Sequence, residues 1–386
     1  MKLNKLSVFL FHPTIQYKGE LFVKPHHGKF IDEISTNFHK VFLIAPFIKE
    51  RNFPEWLVVD GKPIYDYQFK NKKVFLVKSF YQKLLYPLRF FLYIYYLVIS
   101  NRLLFFVPSV SLVVMFPFLF LLRKKYFCYV ASEPSTFFDS KIESRFFAGF
   151  LNKIFSLALS HSNGILATGN RNFSRWKNKT NVLRVNPLLN FDFENIIVHQ
   201  MLEKDEDSFI FAGAITPNKR VMKIVETIAL IKKNKPNVYL DIVGNYSEEN
   251  YSYFEQIISY IQKNNLKENV QLHGYIHDTE HLSFLYKKAK FLILVSEYEG
   301  FPKVIWEAMA HQCVPILSNL PSFKGILVAN ENCFFVENDI EEEICKVIME
   351  TPQEVFRNII MNNMKFVQNM IQTKPSTQFL QLLNFK

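Results

Sequence analysis

The sequence predicts an α/β protein of two domains, each a parallel sheet covered by helices, that face each other across a cleft. Two observations lead to this prediction. The 386 residues exceed a single ordinary core of about 150 residues. Apolar strand-like runs also alternate with helix-like segments through both halves of the chain. We place the domains at residues 1–195 and 196–365, followed by a helical tail at 366–386 for which packing back on the first domain is one option.

The first half opens with a predicted strand at residues 6–11, a helix at 30–38 and a second strand. Residues 103–122 then form an uncharged run, about the 20 residues that cross a bilayer. Pro108 and Ser109 divide this run into a strand and a helix, and another strand follows. Buried parallel strands are continuously apolar. A Rossmann-like strand–helix–strand unit is therefore favoured over a membrane span.

The second half repeats the alternation with clearer boundaries, after a polar break near residues 190–206. Open α/β sheets bind ligands beyond the carboxyl ends of their strands, so each loop that follows a strand here is a candidate ligand contact. The predicted strands lie at 209–215, 239–245, 270–276 and 291–296, and the predicted helices at 221–234, 251–264 and 279–288.

The positive charge is concentrated in the first half of the chain. Residues 1–200 hold 27 Lys and Arg against 12 Asp and Glu, whereas residues 201–386 hold 19 against 23. With 41 Phe and 18 Tyr in the chain, a basic and aromatic half suits a phosphate-bearing ligand or an anionic membrane surface. A merely solvated surface is the alternative. No nucleic-acid recognition motif accompanies the basic residues, so nucleic-acid binding is not predicted.

Several classes of protein are disfavoured by missing motifs. The four cysteines form no Cys-x-x-Cys pair, so neither a zinc site nor a disulfide framework is expected. The start of the chain does not resemble a signal peptide, and no Gly-x-Gly-x-x-Gly follows a strand as a dehydrogenase would require. We expect a cytoplasmic protein with neither a zinc site nor a dinucleotide cofactor.

The richest candidate site is the stretch 296–316, which combines a strand end, a turn and a helix start. Pro302 is expected at the first helical position, so that the backbone N–H groups around Gly300 and Phe301 could bind a diphosphate. Glu299 and Glu307 could hold sugar hydroxyls through charge-assisted hydrogen bonds. Without a ligand role, Glu299 would be a solvated turn residue, and Glu307 would pair with the Lys four residues earlier on an exposed helix face.

The run from Ser296 to Pro315 resembles the signature of glycosyltransferase family 4. It has a Glu, seven residues and a second Glu followed by Ala-Met-Ala. The segment FAGAITPNKR is similar to the family's Gly-Arg-Leu…Lys-Gly segment, and YLDIVGN to its central strand and glycine loop. The resemblance covers about residues 208–345, and the first half only by its alternation of elements.

This resemblance implies a GT-B fold and a retaining sugar transfer from a nucleotide sugar without a divalent metal. It implies that Glu299 lies against the donor sugar, Glu307 holds the ribose and Lys219 neutralises the diphosphate. The remaining donor-binding residues that it implies are Gly300, Phe301, Pro302, Gly213, Gly244, Asn245, Gly274 and Tyr275.

The chain also departs from the family pattern. Ala214 stands where the family usually has an Arg, and Arg220 is either a compensating cation or an ordinary charge at a helix start. A Gly-Gly turn is missing near the N-terminus, which leaves Gly19 and Gly28 as competing contacts on the acceptor or sugar side. The family's N-domain His also has no clear counterpart. Glu133 occupies the expected strand end, and His12, His26 and His27 are loose alternatives.

The predicted activity is transfer of a sugar to a saccharide or lipid-linked acceptor, in surface polysaccharide or glycolipid synthesis. We expect the protein to lie peripherally at the inner face of the cell membrane, with its basic half on the anionic lipids. Two alternatives remain open on the sequence: a non-catalytic protein that binds a nucleotide sugar or lipid phosphate, and a sugar-nucleotide epimerase.

Overall fold

The structure, a computed structural model, divides into two compact units: Met1–Asn190 with Thr373–Lys386, and Phe191–Gln372. We describe each unit by itself. The residues that the structure describes are 3–17, 20–49, 58–59, 62–63, 67–80, 86–131, 144–178, 181–186, 188, 201–276, 278–299, 302–372 and 374–384.

The first unit is built on one large and mainly parallel sheet. Its strand order is β11-β10-β9-β8-β1-β4-β2-β3, with β7 pairing to β4. Among the described strand pairs of this sheet, β2–β3 alone is antiparallel. The described strands of this unit are β1 Leu3–Phe9, β2 Thr14–Tyr17, β3 Glu20–Phe22, β4 Phe38–Lys49, a small separate pair β5 Val58–Val59 and β6 Lys62–Pro63, β7 Val74–Phe80, β8 Arg102–Val107, β9 Tyr126–Val130, β10 Gly164–Thr168 and β11 Val182–Val185.

Helices cover both faces of this sheet and give the unit two apolar cores. The described helices are α1 Pro25–Ser35, α2 Tyr86–Ile99, α3 Val110–Leu121, α4 Arg145–Ser160, α5 Gly169–Trp176 and, from the end of the chain, α12 Pro375–Asn384. Helices α2, α3 and α4 pack on one face, around residues such as Phe105 and Phe155. Helices α1 and α12 pack on the other face, around Phe30 and Phe379. Strands buried on both faces are apolar at every position, as in β8 and β9.

The second unit is a six-stranded parallel sheet in the order β14-β13-β12-β15-β16-β17. Phe209 stacks on Phe291 at 5.1 Å between ring centroids, near the middle of this sheet. The strands are β12 Asp205–Ala212, β13 Tyr239–Val243, β14 Val270–Gly274, β15 Ala289–Leu294, β16 Val314–Ser318 and β17 Phe334–Val336. The helices are α6 Val221–Lys232, α7 Tyr251–Lys263, α8 Thr279–Lys288, α9 Lys303–Ala310, α10 Ile340–Glu350 and α11 Gln353–Gln372.

The structure confirms the predicted strand and helix in the uncharged run, which are β8 and α3. No helix in the described ranges is both long and apolar enough to cross a bilayer. The helix predicted at 30–38 was misplaced: α1 begins five residues earlier, at Pro25, because the fixed φ of proline suits the first turn of a helix. The first strand likewise runs from Leu3 rather than from residue 6.

The last helix, α12, belongs to the first unit. Its Leu382 side chain packs so closely on Gly164 of β10 that a Cβ there would lie 2.7 Å from it. Ser376 Oγ also donates a hydrogen bond of 2.5 Å to Glu33 Oε2 on α1. Helix α11 continues to Gln372, so the predicted start of the tail at residue 366 falls inside it.

Candidate active site

Two loops meet at the carboxyl ends of the adjacent strands β12 and β15. Asn218, in a short 3₁₀ helix after β12, joins them through three hydrogen bonds. Its backbone carbonyl accepts from Glu297 N at 2.9 Å, and its side-chain oxygen accepts from Tyr298 N at 3.2 Å. Its side-chain nitrogen donates to Tyr298 O at 3.3 Å. This role of Asn218 was not predicted from the sequence. The one feature that could have indicated it is the Pro-Asn pair just before a helix.

This junction brings together Lys219 and Glu299, the two predicted catalytic residues. Lys219 Nζ forms an ion pair with Glu299 Oε1, and Ser296 Oγ donates to the same oxygen at 2.7 Å. The two charged side chains are only 20% and 11% exposed. Partial burial strengthens their attraction relative to a pair in water. The site therefore holds one oriented cation and one oriented carboxylate side by side.

Arg220, the neighbouring predicted cation, has a different environment. It caps the N-terminus of α6 with φ 51° and ψ 39°, in the left-handed region that favours glycine. The family pattern places a Gly at this position. Arg220 Nε lies 3.3 Å from Glu297 Oε1, and both side chains are substantially exposed, at 34% and 53%. An exposed pair of this kind contributes about 0–1 kcal/mol.

Three glycines follow three neighbouring strands and lie in one hydrogen-bonded row. Gly213 N donates to Val243 O at 2.9 Å, and Gly244 N donates to Gly274 O at 2.8 Å. A Cβ at Gly244 would lie 1.8 Å from Gly213 O, so no other residue fits there. Gly274 has φ 66°, again in the left-handed region. The predicted residues Gly213, Gly244 and Gly274 thus form a backbone edge that side chains do not obstruct.

Asn245 and Tyr275 extend this edge. Asn245 O accepts from Ile215 N at 2.9 Å, which ties the loop after β13 to the loop after β12. The Tyr275 side chain is 41% exposed. Beside Asn245 lies a depression of about 410 Å³ that is lined also by Tyr246, Glu248 and Tyr251. This end of the sheet therefore offers aromatic and amide surfaces to a ligand.

Glu307 lies on α9 and is buried, so the alternative of an exposed pair with Lys303 is wrong. Burial raises the pKa of its carboxyl from 4.5 to about 7, although nearby Lys303 and the hydrogen bond from Tyr286 act in the opposite direction. Tyr286 OH lies 3.4 Å from Glu307 Oε2. A buried carboxylate with such weak support is costly in the charged form. A ligand that donates hydrogen bonds to it would relieve that cost.

A buried polar network holds the helix that carries Glu307. Lys204 Nζ donates to the carbonyls of Tyr286, Ala289 and His311 at 2.8, 2.9 and 2.6 Å, at the ends of α8 and α9. Burial lowers the pKa of His311 to about 4, so its ring is neutral near pH 7. Its Nδ1 therefore donates to Glu307 O at 2.7 Å, and Nε2 accepts from Ser283 Oγ at 2.7 Å. No sequence motif predicted this network.

Other predicted site residues are placed as follows. Pro302 is the N-cap of α9 rather than its first helical residue, so the helix begins at Lys303. Gly28 lies inside α1 rather than in a loop, and a Cβ there would lie 2.0 Å from the Tyr67 ring, so packing alone explains this glycine. The predicted residues Gly300, Phe301, Gly19 and Glu133 lie outside the described residues.

The described residues contain no group of three His, Cys, Asp or Glu side chains that could hold a metal ion. One His–Asp pair joins the neighbouring strands β14 and β13. His273 Nε2 lies 2.5 Å from Asp241 Oδ1. All four cysteines are free thiols.

Comparison with known proteins finds similarity mainly in the second unit. Residues 192–354 match the family model described as Glycosyl transferases group 1. The capsular polysaccharide biosynthesis glycosyltransferase CapH of Staphylococcus aureus is 26% identical over 153 residues, 39% of this chain and 40% of that protein. A GDP-mannose:cellobiosyl-diphosphopolyprenol alpha-mannosyltransferase of Xanthomonas oryzae pv. oryzae is 30% identical over 131 residues, 31% of this chain and 33% of that protein. The chain thus matches less than half the length of these relatives.

Solved structures extend the likeness to the whole chain. Anabaena HepE in complex with UDP has a TM-score of 0.68 at 15% identity, with 99% of both chains covered. Sucrose-phosphate synthase from Thermosynechococcus elongatus has a TM-score of 0.67 at 15% identity, with 98% of both chains covered. At this identity the likeness concerns the fold. The prediction of two parallel-sheet α/β domains of GT-B type is confirmed.

Proposed function

With a glycosyl transferases group 1 domain over residues 192–354 as the premise, we propose that this protein is a retaining, metal-independent hexosyltransferase. It moves a sugar from a nucleoside-diphosphate sugar to a saccharide or lipid-linked acceptor and needs no cofactor. The observation that carries the proposal is the Lys219–Glu299 pair, held at the carboxyl ends of two adjacent strands by Asn218. Ligands of open α/β sheets bind at such ends.

The leaving group determines what the site must do. A departing nucleoside diphosphate takes on negative charge, so a preorganised cation next to it lowers the barrier. Lys219 is already oriented by Glu299, and it would exchange that partner for the diphosphate when the donor binds. Glu299 would then be released to accept hydrogen bonds from the hydroxyls of the transferred sugar. The N-terminal end of the α9 dipole would add to the positive potential.

The nucleoside would lie along the glycine row. Gly213 and Gly244 allow the backbone to approach the diphosphate closely, and Gly274, Tyr275 and Asn245 would face the nucleoside. Glu307 would accept hydrogen bonds from the ribose hydroxyls, which would add to the long hydrogen bond from Tyr286 OH. A solved structure of similar fold holds UDP, which is consistent with a nucleotide ligand.

The acceptor class follows from the relatives rather than from the site. CapH is named for capsular polysaccharide biosynthesis, and the mannosyltransferase for a sugar chain on a diphosphopolyprenol. Together they support a role in surface polysaccharide or glycolipid synthesis, at the inner face of the cell membrane. The sugar and the base of the donor are left open by this proposal.

A second candidate function is a protein of the same fold that binds a nucleotide sugar without turning it over. Ala214 favours it, because a family cation is missing there, and the Arg220 side chain is directed to Glu297. Without a second cation on the diphosphate, the leaving group would be less well stabilised than the family pattern implies.

A panel of nucleotide sugars tests the proposal. The purified chain is mixed with each donor, and we expect one of them to raise the melting temperature. That donor is then incubated with candidate acceptors while nucleoside diphosphate release and the anomeric configuration of the product are followed. Acceptor-dependent release with retained configuration supports the proposal. Stabilisation without release favours the binding protein, an isomerised donor without any acceptor indicates an epimerase, and inverted product refutes retention.

A further inference from the structure

Three consecutive helices of the first unit present apolar side chains to solvent. Helices α2, α3 and α4 form one layer over the sheet, and their inner residues fill one of its two cores. Their outward residues recur at helical spacing. They are Phe91, Tyr95 and Val98 on α2, Val110, Val114 and Leu121 on α3, and Phe146, Phe150 and Leu157 on α4. We call this set the apolar face.

The exposure of the apolar face is large for its residue types. Phe146 is 88% exposed, Leu121 is 76% exposed and Phe91 is 68% exposed, one on each helix. A surface helix of a globular protein normally turns its polar side to water. Helix α3 has no polar side: every residue from Leu112 to Leu121 is apolar, whether it faces the core or solvent. An apolar patch of this breadth marks a surface that contacts something other than water.

All charged side chains of helices α2 and α4 are positive, and α3 carries no charged side chain. Residues 67–132 and 144–191, which include all three helices, contain no Asp or Glu, and the three acidic residues between these ranges lie outside the described residues. The exposed cations Arg123 and Lys125 follow the end of α3, Arg145 begins α4, and Lys153 lies on the outward side of α4 between Phe150 and Leu157. Basic residues that flank an outward apolar stripe are typical of helices that lie in the interface of an anionic membrane.

We propose that the apolar face docks on an anionic lipid surface. The three helices would lie against the bilayer with their phenylalanine and leucine side chains among the upper acyl chains, while the flanking cations contact lipid phosphates. A second copy of the chain fits this face less well, because two such faces would bring the cations of their helices together. This inference does not depend on the transfer reaction, since it uses residues of the first unit alone.

Vesicle sedimentation of the full chain tests the proposal. We expect the wild-type protein to bind vesicles of phosphatidylcholine mixed with phosphatidylglycerol, more weakly as salt is added, and to bind pure phosphatidylcholine poorly. The triple variant Phe91→Asp, Leu121→Asp and Phe146→Asp should bind the mixed vesicles more than about a hundredfold more weakly. Circular dichroism and nucleotide-dependent melting should not change, because the three side chains are exposed and lie outside the donor-binding unit.

Two further variants make the test specific. The matched control Val328→Asp, Met349→Asp and Met361→Asp changes the charge equally at exposed apolar residues of the second unit, and it should bind vesicles like the wild type. Serine at the same three positions of the apolar face removes the apolar contact without adding charge, and it should also weaken binding. Wild-type indifference to the mixed vesicles at low salt would overturn the proposal. So would a dimer of the wild type that the Asp variant abolishes, since that would make a second copy the partner.

Discussion

Replacing Glu307 with Gln should make the protein more stable and bind its donor less well. The folded carboxyl has a pKa of about 7 because it is buried, against an ordinary value of 4.5. At about 1.4 kcal/mol for each tenfold change in proton affinity, the charged form costs about 3 kcal/mol in the folded state. Gln has nearly the same shape and cannot ionise, so it should remove most of this cost at alkaline pH.

The sign of the effect fixes its pH dependence. Between about pH 4.5 and pH 7 the folded carboxyl keeps a proton that the unfolded chain has lost. The free energy of unfolding of the wild type therefore falls as pH rises through this range, and the cost is complete above about pH 8. The Glu307→Gln variant lacks this fall. Its advantage should be close to zero at the acid end and about 3 kcal/mol at the alkaline end.

Urea denaturation followed by circular dichroism, at a series of pH values, measures this difference directly. Glu350→Gln, at the exposed end of α10, is the matched control and should show no such pH-dependent advantage. Calorimetric titration should show that nucleotide sugar binds Glu307→Gln about tenfold to hundredfold more weakly than the wild type, because the charged hydrogen-bond acceptor is lost. Parallel pH profiles for wild type and Glu307→Gln would refute the burial argument, and unchanged affinity would refute the ribose contact.

Three other substitutions separate the roles of the neighbouring residues. Glu299→Ala should lower kcat about a hundredfold with a smaller change in donor affinity, since this carboxylate contacts the reacting sugar; a change confined to KM would contradict that role. The free energy of unfolding in urea should be about 1 kcal/mol higher for Arg220→Gly than for Arg220→Ala. Both variants lose the contact with Glu297, but only alanine is strained in the left-handed backbone conformation of this position. Gly244→Ala should lose nucleotide binding and have a much lower melting temperature, because the added Cβ would collide with Gly213 O. The control Gly149→Ala should be neutral or stabilising, because its Cβ would enter open space beside α4. Equal melting of the two alanine variants would show that the glycine row is not tightly packed.

The first four strands of the second unit and the helices between them could be predicted from the sequence, whereas β16, β17 and α10 were not. The strands of this unit alternate with amphipathic helices, and each predicted strand has a counterpart within a few residues. The proximity of Lys219 to Glu299 could also be predicted, because the family resemblance assigned both residues to one ligand. The start of α1 was not, since His26 and His27 lack apolar helical spacing and only Pro25 indicates the true beginning.

What the sequence could not show depends on contacts between distant residues. Asn218 gains its role only when β12 and β15 become neighbours, which places it beside Tyr298, 80 residues later. The contact of Lys204 with the ends of α8 and α9 arises in the same way. The burial of Glu307 was missed because its spacing from Lys303 fits an exposed helix pair equally well. In the sequence, the outward apolar residues of α3 cannot be distinguished from its core residues. Only the packing of the helix on the sheet shows which side is covered.

The central claim is that Lys219, oriented by Glu299, stabilises the departing diphosphate. Its most direct test is the rate of nucleoside diphosphate release by Lys219→Met at saturating donor and acceptor, with Arg220→Met as the neighbouring control. We expect Lys219→Met to be slower than wild type by more than about a hundredfold, with donor affinity nearly kept, and Arg220→Met to be affected much less. Wild-type turnover by Lys219→Met, or a larger loss in Arg220→Met than in Lys219→Met, would contradict the claim.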